Sequence, residues 1–220
     1  MTLTREQIKS GWVQRMAREM PHMKALTDEE MRRSREATLA TNPTPGDVWI
    51  FGYGSLIWNP AFEFDERLVG RLRGWHRRFC MWTALGRGSP ELPGLMLALE
   101  PGGSCRGIVL RIPASKVEEE TDIIWRREMV AGSYRPRWVK VDCAGGEIVH
   151  AIAFVMNRRH ERYAGRLPDH VVIDHIARAV GRMGPCFDYL HNTVEHLHAL
   201  GIRDPMLEKL HRQVAARRTR

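Results

Sequence analysis

Two features of the sequence have residue types and spacing that suit chemistry: a turn rich in glycine and an acidic side chain on an apolar helix face. The turn consists of Tyr53, Gly54, Ser55 and Leu56 and follows Gly52 at the end of an apolar, strand-like run. Glycine lets the backbone approach a ligand closely, and such a turn can direct several N–H groups at one anionic or carbonyl oxygen. The residues therefore predict a binding loop, although a turn without chemistry fits them equally.

The acidic side chain is Glu128, in a segment predicted to be helical over 115–129. At about 100° per residue, Glu128 projects along the same stripe as Val117, Thr121 and Ile124. A carboxylate that faces a core is unfavourable unless it is paired or protonated. Desolvation and the negative end of the helix dipole both raise its pKa. Glu128 is therefore a candidate general base that later acts as a general acid.

A structural role for Glu128 fits the same residues, because ion pairs also place carboxylates at unusual positions. The candidate partners are Arg126, Arg127 and Arg135, and snorkelling from a frayed last turn is a further possibility. The start of this helix is predicted to be a capping box formed by Ser115 and Glu118.

The elements that position these features follow from periodicity and from turn residues. Residues 1–46 are predicted to be a helical N-terminal extension, with capping boxes at Thr4 and Thr27, and residues 47–220 one domain. The predicted strands are 48–53, 68–72, 79–83, a hairpin of 92–100 and 106–112, and a hairpin of 138–143 and 148–156. The predicted C-terminal helices are 168–182, 186–200 and 205–216.

Strands and helices do not alternate regularly, which argues against a doubly wound parallel sheet. The pattern predicts an α+β fold: a compact, mixed, mainly antiparallel, barrel-like sheet with surrounding helices. No apolar run approaches the roughly 20 residues needed to span a bilayer, and the N-terminus lacks a secretory signal pattern. Four widely spaced cysteines without a CxxC pair predict reduced, packed thiols and a cytoplasmic location.

The formal net charge of +8 favours anionic partners, which include small acidic substrates and nucleic acid. The densest basic cluster, at 212–220, is interpreted as a solvated tail. A non-enzymatic protein that binds polyanions through a basic surface stays an alternative. The histidine spacings do not match helical metal pairs, and the 52–55 turn lacks the ending of a phosphate-binding P-loop, so neither a metal site nor nucleotide binding is predicted.

Several motifs in order along 48–210 resemble the ChaC-type γ-glutamylcyclotransferases. They are Phe51-Gly52-Tyr53-Gly54-Ser55-Leu56-Ile57-Trp58, Arg78-Phe79, the 87–94 segment RGSPELPG, Gly107, Arg127-Glu128, Gly132-Ser133-Tyr134, Gly184-Pro185-Cys186, Tyr189-Leu190 and Gly201-Ile202-Arg203-Asp204. The resemblance implies a barrel-like sheet and cleavage of glutathione to 5-oxoproline and cysteinylglycine, without a metal or an organic cofactor. It also implies that Glu128 is the catalytic glutamate and that the 53–56 loop binds the γ-glutamyl group.

Two further residues are candidates for the substrate site. Tyr134 follows Glu128 across the Gly132 turn and either lines the pocket or packs at the start of a strand. Arg87 either meets a substrate carboxylate, for which a bidentate pair would suit it, or is a solvated loop arginine. The substrate alternatives are other γ-glutamyl amino acids or amines. No nucleic acid or membrane partner is expected, and the oligomeric state is not predicted.

Overall fold

The computed structural model describes residues 2–20 and 23–219. Residues 1, 21 and 22 of the predicted extension and residue 220 of the predicted domain therefore lie outside the described residues. The strands are β1 (Val48–Gly52), β2 (Glu66–Thr83), β3 (Gly94–Ile112), β4 (Tyr134–Cys143), β5 (Ile148–Met156), β6 (Val180–Gly181) and β7 (Gly184–Pro185). The helices are α1 (Arg5–Lys9), α2 (Trp12–Arg18), α3 (Asp28–Leu39), α4 (Val117–Glu128), α5 (Asp169–Arg178), α6 (Cys186–Ala199) and α7 (Pro205–Arg218).

Five strands form a closed barrel in the order β1-β3-β2-β4-β5, and a parallel pairing of β1 with β5 closes it. The other pairings along this order are antiparallel. The predicted α+β barrel-like sheet is thus confirmed. The closed barrel forms a frame that holds the loops at the ends of its strands.

The predicted hairpin turn at 101–104 is wrong, because β3 continues through it. The β2–β3 ladder runs on both sides, with Trp75 opposite Pro101 and Arg73 opposite Ser104. Gly102 and Gly103 have positive φ values of 102° and 68° and form an irregularity inside the strand. The predicted strands 68–72 and 79–83 are likewise two parts of β2. Glycine permits a sharp bend as readily as a reversal.

Helix α4 carries Glu128 and packs on the barrel through a fully buried indole. The Trp125 ring meets the Phe154 ring edge-on, with centroids 5.1 Å apart. The predicted capping box at its start is wrong, because Ala114–Lys116 forms a 3₁₀ turn that includes Ser115. The packing of Trp125, rather than a cap, fixes the orientation of α4.

The N-terminal helices pack on α4 through polar contacts at several points. The capping boxes at Thr4 and Thr27 are confirmed, since each side chain accepts the N–H three residues on. Gln14 Nε2 donates to Arg126 C=O at 3.0 Å, and Arg5 forms an ion pair with Glu120. Among the helices that the structure describes, none is long and apolar enough to cross a membrane.

Candidate active site

One cavity of about 160 Å³ lies at the end of the barrel where β1, α4 and β4 meet. Its wall includes every residue that the sequence predicted for the site: Tyr53, Gly54, Ser55, Leu56, Arg87, Glu128 and Tyr134. These residues come from three distant parts of the chain. The barrel therefore brings the glycine turn and the acidic side chain into one cavity.

The glycine turn connects β1 to a 3₁₀ turn at Ser55–Ile57. Tyr53 anchors it from both ends: its hydroxyl donates to Phe154 C=O at 2.7 Å, and its own carbonyl accepts from Arg77 Nη1 at 2.8 Å. A Cβ at Gly54 would lie 2.7 Å from the Tyr189 hydroxyl, closer than real Cβ contacts. Glycine is needed at this position because the tyrosine occupies the space of a side chain.

The backbone of this turn presents N–H groups at its start. The first hydrogen bond inside the 3₁₀ turn runs from Ile57 N–H to Gly54 C=O at 2.9 Å. The N–H groups of Ser55 and Leu56 precede that bond, as do the first donors of any helix. An oxygen atom in the cavity can accept from such groups.

Glu128 is the last residue of α4, and its side chain is only 13% exposed. Its Oε1 lies 2.9 Å from Arg127 Nε, so the predicted ion pair with Arg127 is present. Burial raises the pKa of Glu128 above its ordinary value, and Arg127 opposes that rise. Glu128 forms this ion pair and also lines the cavity, so the ion pair is compatible with a role of Glu128 in the site.

Arg127 links Glu128 to the glycine turn. Its Nη2 donates to Ser55 Oγ at 2.8 Å, and its Nη1 donates to Pro60 C=O at 3.0 Å and to Asn59 C=O. With Glu128 on Nε, the guanidinium uses all three nitrogens. The planar fork of arginine suits such a set of acceptors, and a lysine ammonium does not reproduce it. Arg127 is therefore a positioning residue for the carboxylate.

Replacement of Arg127 by methionine moves the acidic limb of the kcat/KM profile to higher pH. A general base works only when deprotonated, so with Glu128 in the predicted role of base we expect activity to rise as the pH passes through its pKa. Arg127 lowers that pKa, and its removal leaves only the effect of burial. The measurement is 5-oxoproline release from glutathione between about pH 4 and 9. An Arg126→Met control, on the neighbouring arginine that pairs with Asp122, keeps the wild-type limb, and an unchanged limb in Arg127→Met contradicts the assignment.

Three tyrosines surround the carboxylate: Tyr53, Tyr134 and Tyr189. Burial is the main cause that raises the pKa of each phenol, and the negative charge of Glu128 adds to it. The three hydroxyls therefore stay protonated at neutral pH, and those of Tyr53 and Tyr134 donate to backbone carbonyls. The Tyr134 hydroxyl donates to Leu97 C=O at 3.1 Å. Tyr134 lines the cavity and is also the first residue of β4, so the two positions considered for it, in the pocket and at the start of a strand, are both occupied.

Arg87 is buried, with 4% exposure, and so the alternative of a solvated loop arginine is wrong. Its Nη1 donates to Pro185 C=O at 3.2 Å. Burial lowers the pKa of the guanidinium, and the nearby Asp188 raises it. The β2–β3 connection folds inward over the cavity, which the sequence did not indicate.

Sequence reasoning missed several cavity residues that come from outside the two motifs. They are Leu3, Val13 and Met16 from the N-terminal segment, Ser133 and Arg162 near β4 and β5, and Tyr189 on α6. The amphipathic pattern of the first helices indicated burial but not its target. Tyr189 is part of the Tyr189-Leu190 motif that carries the family resemblance, but that motif did not indicate a place in the cavity. Arg162 lies in a loop, and loop residues have no hydrophobic periodicity that could indicate their position.

The fold and the cavity define a γ-glutamylcyclotransferase-like barrel. A crystal structure of a yeast γ-glutamyl cyclotransferase specific to glutathione superposes with a TM-score of 0.73 at 20% identity, over 78% of this chain and 96% of that chain. The chain belongs to the ChaC-like protein family, whose model matches residues 48–217.

Curated relatives agree with the family match. The chain is 44% identical to the glutathione-specific γ-glutamylcyclotransferase of Escherichia coli (strain K12), over 83% of this chain and 79% of the relative. It is 32% identical to γ-glutamylcyclotransferase 2-3 of Arabidopsis thaliana, over 76% of this chain and 88% of the relative. Both alignments cover more than three quarters of this chain.

Proposed function

We propose that this protein is a glutathione-specific γ-glutamylcyclotransferase that converts glutathione to 5-oxoproline and cysteinylglycine. The observation that carries the proposal is that Glu128, a largely buried carboxylate with a raised pKa, lines the same cavity as the glycine turn. Membership of the ChaC-like family and the names of the relatives support the substrate. A binding protein with a basic surface needs neither a buried carboxylate nor an enclosed cavity.

The reaction is an intramolecular attack of the α-amine of the γ-glutamyl group on its own side-chain carbonyl carbon. A new C–N bond closes a five-membered lactam, and the amide bond to the cysteine nitrogen breaks. The enclosed cavity favours a folded conformer of the substrate, and such proximity lowers the barrier by several kcal/mol. Water is not a reactant, so the reaction is a lyase-type elimination with cyclisation.

Glu128 is proposed as the general base and then the general acid. It takes a proton from the α-nitrogen, because only the free amine is a nucleophile, and returns a proton to the departing cysteine nitrogen. The α-ammonium loses two protons in all, and the departing amine gains two when it becomes an ammonium. The reaction therefore releases no net proton, and the pKa raised by burial suits both transfers.

The 53–56 loop is proposed to bind the γ-glutamyl group. Negative charge develops on the carbonyl oxygen during attack, and preorganised N–H donors stabilise such charge. The N–H groups of Ser55 and Leu56 are proposed to donate to that oxygen or to the α-carboxylate. Tyr134 and Arg87 are the further substrate-binding residues of the proposal, since both line the cavity.

The test is release of 5-oxoproline by purified protein from a panel of γ-glutamyl substrates, with a chelator present. The expected result is turnover of glutathione and much slower turnover of γ-glutamyl amino acids and amines. Faster turnover of another γ-glutamyl donor would change the substrate but keep the chemistry. No turnover of any donor, together with salt-sensitive binding of polyanions, would favour the alternative of a basic binding protein.

Two further predictions from the sequence concern the domain organisation and the location of the protein. One is the division into an N-terminal extension (1–46) and a domain (47–220). The other is a cytoplasmic location, which is supported by four buried cysteines without a disulfide.

A further inference from the structure

Arg162, one of three arginines in the cavity wall, forms no ion pair among the residues described at 2–20 and 23–219, although the charge of its neighbour Glu161 acts on it. Its Nε donates to Trp82 C=O at 2.8 Å, and its Nη1 donates to Ser133 Oγ at 3.1 Å. Both acceptors are neutral. The remaining nitrogen, Nη2, has no hydrogen bond within the described part of the chain, and the residue lines the cavity.

An arginine in such a place retains its charge. Burial lowers the pKa of the Arg162 guanidinium from a very high ordinary value, yet arginine remains protonated in proteins. A charge that is removed from water without a counter-charge is unfavourable. A ligand carboxylate would remove that cost and would gain strong, charge-assisted hydrogen bonds. The cavity is thus complementary to an anion at this wall.

Arg162, Tyr134 and Glu128 all line the same cavity. The pKa of Tyr134 is raised by Glu128 and lowered by Arg162, so both charges lie near that ring. By contrast, Arg127 is the charged group that acts on Glu128 itself. Arg162 also contacts Ser133, the residue before Tyr134. The cavity wall therefore holds a carboxylate and a cation from different segments of the chain, and both lie near Tyr134.

Glutathione carries two carboxylates at different distances from its reacting amine. The α-carboxylate is on the same carbon as that amine, so it must lie beside Glu128 and the glycine turn. The glycine carboxylate is at the opposite end of the tripeptide. We infer that Arg162 binds the glycine carboxylate of glutathione and thereby selects the full tripeptide over shorter or esterified γ-glutamyl compounds. The inference rests on the proposed function. It assigns recognition of the glycine end of the substrate to Arg162.

The test compares glutathione with its glycine monoethyl ester, which lacks only the distal charge. We expect wild-type protein to prefer glutathione in kcat/KM by about 10- to 100-fold, the range of one hydrogen-bonded ion pair. Arg162→Met should lose that factor on glutathione and treat acid and ester alike. Arg162→Lys should recover part of the preference, because an ammonium retains the charge. Arg159→Met is the matched control, since Arg159 is exposed and outside the cavity wall.

The outcomes separate this inference from the proposed function. Wild-type protein that releases no 5-oxoproline from glutathione would contradict the function itself. Wild-type protein that is active but does not distinguish acid from ester would overturn only the role of Arg162. The same conclusion follows if folded Arg162→Met, with an unchanged melting temperature, still prefers the acid. If the methionine variant does not fold, the lysine variant and the wild-type preference decide the question.

Discussion

Replacement of Glu128 by glutamine lowers kcat for 5-oxoproline release from glutathione by about 10²- to 10⁴-fold, the usual contribution of general acid–base catalysis. Glutamine preserves the size of the side chain and can still accept a hydrogen bond from Arg127 Nε, which lies 2.9 Å from Oε1 in the wild type. It cannot take the proton of the α-nitrogen. The loss should therefore appear in kcat at every pH, with a smaller change in KM.

The same variant should be at least as stable as the wild type at neutral pH. Burial raises the pKa of Glu128 in the folded protein. A carboxyl group with a raised folded pKa stabilises the fold fully below its unfolded pKa, and this stabilisation is lost as the pH rises through the folded pKa. At neutral pH the wild type therefore carries a penalty that glutamine removes. Thermal unfolding at pH 7 and at about pH 4 measures the difference.

The control for this variant is Glu147→Gln, which changes an exposed carboxylate between β4 and β5. Its activity and melting temperature should match those of the wild type. Near wild-type activity in Glu128→Gln would remove Glu128 from the role of base. Loss of activity together with a large fall in melting temperature would instead favour the structural alternative, in which Glu128 acts only as the partner of Arg127.

Replacement of Arg5 by methionine destabilises the protein by about 3 kcal/mol, the lower part of the range for removing one partner of a buried ion pair. Glu120 is fully buried on α4, and Arg5 Nη2 donates to its Oε1 at 2.8 Å. Its Oε2 accepts from Arg5 Nη1 at 2.5 Å and from Glu63 N–H at 2.9 Å. Without Arg5, the buried carboxylate keeps one neutral donor among the described residues, the Glu63 N–H.

The loss of Arg5 should also raise KM for glutathione. The N-terminal segment supplies Leu3, Val13 and Met16 to the cavity wall, and Leu3 C=O accepts from Asn59 Nδ2 at 3.0 Å. Release of α1 from α4 therefore opens the wall beside the glycine turn. Denaturant unfolding gives the change in stability, and steady-state kinetics gives KM.

Two variants control for this effect. Lys9→Met removes an exposed ion pair with Glu119, whose side chains are 54% and 56% exposed, so it should change stability by less than about 1 kcal/mol. A double variant, Arg5→Met with Glu120→Met, should recover much of the lost stability, because it removes both charges together. A single variant as stable as the wild type would show that the buried pair does not hold the N-terminal segment.

Features that depend on local chemistry could be predicted from the order of residues alone. The glycine turn and Glu128 were identifiable because residue type and helical spacing are properties of a short segment. The capping boxes at Thr4 and Thr27 were predicted for the same reason, and the hairpin of β4 and β5 from its turn at 144–146. The failed prediction of a turn at 101–104 marks the limit, since glycines specify a bend without saying whether the strand continues.

Two features became visible only in the folded protein: which distant residues share the cavity, and which charged side chains are buried. Glu120 and Glu119 are adjacent in a run of acidic residues, yet the first side chain is 1% exposed and the second 56%. Arg87 and Arg162 occur in segments without periodicity, and barrel closure together with inward loops directs both toward the cavity. Burial and charge pairing depend on contacts between segments far apart in the chain, and long-range contacts of this kind are set by the packing of the whole fold rather than by local spacing.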